Sequence, residues 1–185
     1  MNIYYTLKMF SLDENLFNFI HQLVGKSQLL DLSAIFFADY SGYILILIAL
    51  VLIFSAKKYK DRIYNLAFVS LTLLLSSGIF TPTIRFFFFR ERPFVQLDFV
   101  PLITKSSFEA AFPSGHASFF FALAFAIFYL GKMRWSLIFI LISLLMGISR
   151  VYVGVHWPLD IVSGILVAFV SASIVKFLLE PEKQS

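Results

Sequence analysis

The chain has 185 residues, of which 59% are hydrophobic and only 14% charged, and its mean hydropathy is +0.86. Soluble domains carry roughly 45–50% apolar and about 25% charged residues, so this composition excludes an ordinary soluble domain and a disordered chain and leaves a polytopic membrane protein. Cysteine is absent, which excludes disulfides, thiolate metal sites and cysteine nucleophiles, and the net charge of +4 comes without the basic clusters that bind nucleic acid.

Residues 1–39 read as one or two amphipathic, interfacial helices, the second of which can run into the first span. Leu16, Phe17, Ile20, Leu23 and Val24 recur at helical spacing, with Asp13, Glu14, His21, Gln22 and Lys26 between them. That pattern suits a helix lying at the membrane interface or packed on a bundle. His21 sits on the polar side with no partner evident in the sequence. Asp13, Glu14, Lys26 and Asp31 would interrupt the apolar stretch of a secretory signal, so insertion rests on the chain's own spans.

Five spans follow, because a bilayer core of about 30 Å takes roughly 20 helical residues. They cover about 40–56, 63–84, 114–130, 135–153 and 158–179, each bounded by charge, glycine or proline. The expected fold class is therefore all-α: a polytopic transmembrane helical bundle of about six core helices, with a transmembrane domain over 40–180 and a short tail over 181–185. Ser118, Ala122 and Ala126 repeat every four residues, as do Gly164 and Ala168, which marks close-packing seams between helices. Phe86–Phe89 reads as an aromatic anchor at the interface.

The basic residues divide between two sides. Lys57, Lys58, Lys60, Arg62, Lys132, Arg134 and Lys183 fall on one, and Arg85, Arg90, Arg92, Lys105 and Arg150 on the other. The positive-inside rule places the lysine-rich turn and the C-terminus in the cytoplasm. The loops over 85–113 and 150–160 then face outward.

Ionisable residues at membrane depth are costly, so each is a functional-site hypothesis. Here they converge. Arg85 and Arg92 close the second span, Ser114, Gly115 and His116 open the third, and Arg150, His156 and Asp160 bridge the last two. Glu91, Asp98 and Glu109 read as solvated residues of the outer loop. The inventory asks for a phosphate: guanidinium forks match its oxygens, and a Ser-Gly helix start offers backbone N–H groups. Two histidines can divide nucleophilic attack from protonation of the leaving oxygen. Asp160 lies four residues after His156 across a helix start at Pro158, close enough to hold one imidazole nitrogen.

At these residues the chain resembles the type-2 phosphatidic acid phosphatase superfamily, which shares its site with the vanadium haloperoxidases. The family pattern is Lys-x6-Arg-Pro, Pro-Ser-Gly-His and Ser-Arg-x5-His-x3-Asp. Here the blocks read RFFFFRERP (85–93), PSGH (113–116) and SRVYVGVHWPLD (149–160), in the family's order and spacing. Arg85 stands where the family has lysine, which keeps charge and reach but substitutes a planar fork for a point charge. The resemblance covers about residues 40–180. It implies that His156 attacks phosphorus and becomes a phosphohistidine, that Asp160 polarises His156, and that His116 protonates the departing oxygen. Arg85, Arg92, Arg150, Ser114 and the Gly115 N–H would cradle the phosphate. No metal or other cofactor is implied, and the carboxylates nearby are too few to assemble a magnesium or zinc set.

The expected activity is that of an integral-membrane lipid phosphatase acting on a phosphate or diphosphate head, with the lipid tail between helices. Small size and short loops resemble the bacterial undecaprenyl-diphosphate phosphatases. Phosphatidylglycerophosphate or phosphatidate would meet the same residues. A lipid phosphotransferase and a non-enzymatic transporter are the alternatives from other classes.

Overall fold

The computed structural model describes residues 3–179, with backbone only over 3–10; the tail 181–185 and Lys183 lie outside the described residues. Among these residues every regular element is helical. Helix α1 (Ile3–His21) precedes α2 (Gln28–Ile35), which runs through a π-helical turn (Phe36–Tyr40) into α3 (Ser41–Phe54). Helix α4 (Tyr59–Leu73) likewise continues through a π-helical stretch (Leu74–Phe80) into α5 (Thr81–Phe87). The short α6 (Pro93–Gln96) lies in the following loop, and α7 (Gly115–Tyr129), α8 (Met133–Tyr152) and α9 (Pro158–Leu179) complete the bundle.

Among the described residues, four uninterrupted helices are long and apolar enough to cross a membrane: Gln28–Phe54, Tyr59–Phe87, Met133–Tyr152 and Pro158–Leu179. The first therefore starts at Gln28, not near residue 40, because the second N-terminal helix runs straight into it. Helix α7 has only 15 residues, about 22 Å at 1.5 Å per residue. It can be short because it forms the centre of the bundle, packed on α9, α8 and α4. Most of its side chains are buried in protein, so the bilayer thickness that sets the length of a lipid-facing helix does not bind it in the same way.

The small-residue seams do what their spacing implies. Ala122, Ala126 and Ala168 are fully buried, and α7 and α9 approach so closely that a Cβ on Gly164 would lie 2.7 Å from Ala117 Cβ and 2.9 Å from the Ser114 carbonyl oxygen. Leucines, isoleucines and phenylalanines on the outer faces remain exposed, as lipid contact requires. Phe86 to Phe89 are all exposed at the end of α5, in keeping with an interfacial anchor.

Helix α1 packs on the bundle, against α8 and α9, through a mixed face. Leu12, Leu16 and Phe19 point outward, whereas Asp13 is 1% exposed and Phe17 is fully buried. His21, expected to lack a partner, has Nδ1 2.8 Å from the Tyr152 carbonyl oxygen and its ring stacked on Phe17. Asn15, Asn18, Gln22 and Lys26 stay exposed; the polar groups that turn inward, Asp13 and His21, are the ones with hydrogen-bond partners on the bundle.

Chain direction puts the ends of α5, α6 and α8 and the starts of α7 and α9 at one end of the bundle. The Lys57–Arg62 turn, Lys132 and the end of α9 lie at the other. Gly164→Val should separate α7 from α9, since two of the three nearest atoms are backbone. Overpacking of this kind costs about 1–3 kcal/mol, to be read as a lower thermal midpoint of detergent-purified protein; an unchanged midpoint would contradict the seam.

Candidate functional site

A cavity of about 140 Å³ opens at the end of the bundle opposite the lysine-rich turn. It is lined by Arg85, Arg92, Lys105, Glu109, Gly115, His116, Arg150 and His156. Six of the eight residues singled out from sequence therefore share one wall. The other two stand behind it: Asp160 and Ser114 are fully buried and are not cavity-lining.

Local structure explains each placement. Helix α8 stops in a Schellman motif, in which Gly154 adopts φ +89°, its N–H donates to the Val151 carbonyl (3.0 Å), and the Val155 N–H reaches back to the Arg150 carbonyl (3.1 Å). A side chain at Gly154 would also strike the Phe99 ring at 2.6 Å. This turn swings His156 back over the end of α8, and Pro158 then starts α9. Asp160, at the third position of α9, accepts the Trp157 N–H at 2.8 Å and places the same Oδ2 3.4 Å from His156 Nδ1. Ser114 caps α7: its Oγ accepts the Ala117 N–H at 3.5 Å, and its own N–H donates to the Asp160 carbonyl at 2.9 Å. Gly115 and His116 begin that helix, so their N–H groups have no carbonyl within it to bond.

The three arginines are each held by a backbone carbonyl. Arg85 donates through Nε (3.2 Å) and Nη2 (2.9 Å) to Pro113, Arg92 through Nη1 to Val155 at 3.0 Å, and Arg150 through Nη1 to Ala38 at 2.8 Å. The double contact of Arg85 needs a fork, which rationalises arginine where the family has lysine; a Cβ on Gly115 would sit 3.3 Å from Arg85 Nη2. Arg92 Nη1 also lies 3.3 Å from His156 Nε2. The Nε atoms of Arg92 and Arg150 are buried without a hydrogen-bond partner among the described residues, as donors awaiting an anion would be.

Charge inside this cavity is unbalanced: three arginines and Lys105 face one carboxylate, Glu109. Burial, reinforced by the neighbouring Arg150, Arg92, Arg85 and Lys105, holds the His156 imidazole well below its usual 6.5, so the ring is neutral at pH 7. Burial also lowers Arg92 and Lys105 from their ordinary values, with Arg85 adding to the effect on Arg92 and Arg150 to that on Lys105. With a proton on Nδ1 toward Asp160, Nε2 carries the lone pair and accepts from Arg92 Nη1. The ensemble can hold a tetrahedral or trigonal-bipyramidal oxyanion against a neutral imidazole nucleophile.

Sequence reasoning overlooked four partners. Lys105 lines the cavity, and Glu109 accepts Arg92 Nη2 at 3.3 Å instead of standing free in solvent. Arg90 donates to Asp160 Oδ1 at 2.9 Å and to Asp13 Oδ2 at 2.6 Å. Asp13 itself is buried on α1; burial raises its carboxyl above the ordinary range, with Arg90 pulling the other way. Only their charge could have flagged them: Arg90 stands at a variable position inside the 85–93 block, and Asp13, Lys105 and Glu109 lie outside all three blocks.

The PAP2 superfamily model matches residues 63–180, and the chain belongs to that superfamily of membrane helical bundles. It is 30% identical over 158 residues to the undecaprenyl-diphosphatase BcrC of Bacillus subtilis, covering 84% of this chain and 78% of that one. It is also 28% identical over 159 residues to the bacitracin transport permease protein BcrC of Bacillus licheniformis, covering 86% and 76%. Among solved structures, LpxE of Aquifex aeolicus aligns with a TM-score of 0.71 at 27% identity over 89% of this chain and 94% of that one. The first transmembrane PAP2 type phosphatidylglycerolphosphate phosphatase from Bacillus subtilis aligns with a TM-score of 0.63 at 25% identity, covering 96% and 89%.

Orthovanadate and inorganic phosphate should both bind here and raise the thermal midpoint of the detergent-purified protein. Arg92→Met should raise the half-saturating concentration roughly tenfold or more, the equivalent of one charge-assisted bond. Equal binding by variant and wild type would place the anion elsewhere.

Proposed function

We propose that this protein is an integral-membrane lipid phosphatase that works through a phosphohistidine, with undecaprenyl diphosphate as its substrate. The observation that carries this reading is the pairing at His156: a carboxylate at Nδ1, an arginine at Nε2, and a cationic cavity in front.

In the first step His156 Nε2 attacks the terminal phosphorus, the N–P bond forms, and the P–O bond to the leaving group breaks. His116 delivers a proton to that oxygen. Asp160 stabilises the positive charge growing on the imidazole through Nδ1–H. Arg85, Arg92 and Arg150, with the Gly115 N–H, hold the equatorial oxygens, and Ser114 supports them by capping α7. In the second step water attacks phosphorus, His116 takes its proton, the N–P bond breaks, and inorganic phosphate leaves with His156 restored. Positioning and charge stabilisation supply most of the catalysis in this reaction class.

Two observations support a lipid substrate. His116 also borders a second cavity of about 160 Å³, lined by Ala38, Asp39, Gly42, Tyr43, Ile46, Phe120 and Met146. A leaving oxygen protonated by His116 would thus lie where the phosphate cavity meets a groove toward the bilayer. The name of BcrC from Bacillus subtilis, at 30% identity over most of both chains, supports the diphosphate carrier over phosphatidylglycerophosphate, the substrate in the name of the solved Bacillus subtilis neighbour at 25% identity. The outer face is the side we assign to the cavity, with the C-terminus cytoplasmic, because the lysine-rich turn lies at the opposite end of the bundle. A transporter reading has the Bacillus licheniformis name in its favour, but a transporter has no need of a nucleophile.

Phosphate release by detergent-purified protein in EDTA, from undecaprenyl diphosphate, phosphatidylglycerophosphate and phosphatidate in parallel, tests the reading. Wild type should turn over without added metal, with the highest kcat/KM on undecaprenyl diphosphate, and His156→Ala should lose at least about a thousandfold, as loss of a nucleophile does. Retained turnover in the variant would sink the phosphohistidine. Since the neutral imidazole is the reactive form and its pKa is lowered, activity should persist as pH falls through the usual histidine range. The acid limb of kcat/KM should lie below about pH 6.5; a limb at or above that value would contradict the assignment.

A further inference from the structure

We propose that Asp13, on the N-terminal helix, is a positioning residue for the reaction: it shares Arg90 with Asp160 and so keeps the negative charge of Asp160 available to His156. This rests on the phosphatase reading above.

The geometry is a relay of alternating charge. Arg90 Nη1 donates to Asp160 Oδ1 at 2.9 Å and its Nη2 to Asp13 Oδ2 at 2.6 Å, with both carboxylates wholly buried. The guanidinium also lies over the Trp157 ring, 5.0 Å from its centroid. The second oxygen of Asp13 accepts the Leu159 N–H at 2.8 Å. Both Asp13 oxygens therefore face donors.

Two consequences follow from these contacts. Helix α9 begins with Trp157, Pro158, Leu159 and Asp160. Asp160 reaches back to the Trp157 N–H, which is half of a capping box. Its other half, a side chain at the cap accepting a first-turn N–H, is supplied from α1 by Asp13. The second consequence is electrostatic. Arg90 paired with Asp160 alone would cancel the carboxylate whose charge must stabilise the imidazolium. Asp13 gives Arg90 a second counter-charge, and the cluster of three keeps one net negative charge directly behind His156. Partners of this kind, one layer removed from the reacting atoms, commonly change activity by about 10–100-fold.

Asp13→Asn separates the two roles, because the amide oxygen still caps Leu159 while the charge is lost. The rate of phosphate release from undecaprenyl diphosphate should fall about 10–100-fold in kcat, with KM changed less than about twofold. Removing the arginine charge as well, in Asp13→Asn/Arg90→Gln, should regain at least half of that loss on a logarithmic scale, because Asp160 is then no longer neutralised. A wild-type kcat in Asp13→Asn, a loss confined to KM, or a double variant as slow as the single one would overturn the proposal. So would failure of both variants to purify as monodisperse protein, since a purely structural clamp accounts for that. Wild type and His156→Ala run alongside: a wild type silent on every lipid refutes the phosphatase reading and this proposal together. An active wild type with an unaffected Asp13→Asn refutes this proposal alone.

Discussion

The packing of α7 against α9 sets the position of everything else at the site. Gly164 lets the two backbones meet with no side chain between them, and the Ser114 N–H then donates directly to the Asp160 carbonyl at 2.9 Å. Two residues 46 apart in the chain are thereby registered to each other by one hydrogen bond between helix starts. His116 follows Ser114 by two residues and His156 precedes Asp160 by four, so that register decides which walls of the cavity the imidazoles occupy. A helix interface without a hydrophobic drive, as in lipid, depends on such close backbone approach.

Around this frame the cations are held in a way that preserves their charge. Arg85, Arg92 and Arg150 are each oriented by a main-chain carbonyl, of Pro113, Val155 and Ala38 respectively. A carbonyl fixes a guanidinium through its dipole without neutralising it, whereas a buried carboxylate at the same place would compete with the phosphate. The carboxylates that do approach lie at the rim or at longer range: Glu109 is 59% exposed, and Asp39 is 3.6 Å from Arg150. Four desolvated cations repel one another, and that unfavourable energy is relieved when an anion enters. This is preorganisation of the kind that stabilises a transition state more than it stabilises the empty site.

The π-helical stretches belong to the same economy of space. One, at Phe36–Tyr40, offers the Ala38 carbonyl to Arg150. The other, at Leu74–Phe80, turns Ser76 so that its hydroxyl donates to the Ser118 carbonyl at 2.9 Å. Single-turn departures of this type re-aim groups within a helix that otherwise satisfies its own backbone, and they recur at functional sites. In a membrane they have the further merit of exposing no unpaired backbone to lipid.

Much of this was legible in the sequence. Composition and run lengths determined a polytopic all-helical bundle, because lipid removes every other way of satisfying the backbone. The spaced blocks over 85–93, 113–116 and 149–160 determined which residues meet at one end, because helix direction alternates between spans. The four-residue repeats of small residues determined which faces touch. What tertiary structure alone decided is what lies behind those residues. Ser114 is a buried cap and not a wall of the cavity, Arg85 turns its fork onto the Pro113 carbonyl, and Asp13 and His21 of α1 turn inward. Asp13, Arg90, Lys105 and Glu109 joined the site from positions that no block defines, Arg90 from a variable position of the first block. The physical reason is that a local pattern reports the partner a residue has three or four positions away. The partner of a buried charge comes from whichever distant segment can neutralise it, and only packing reveals which one that is.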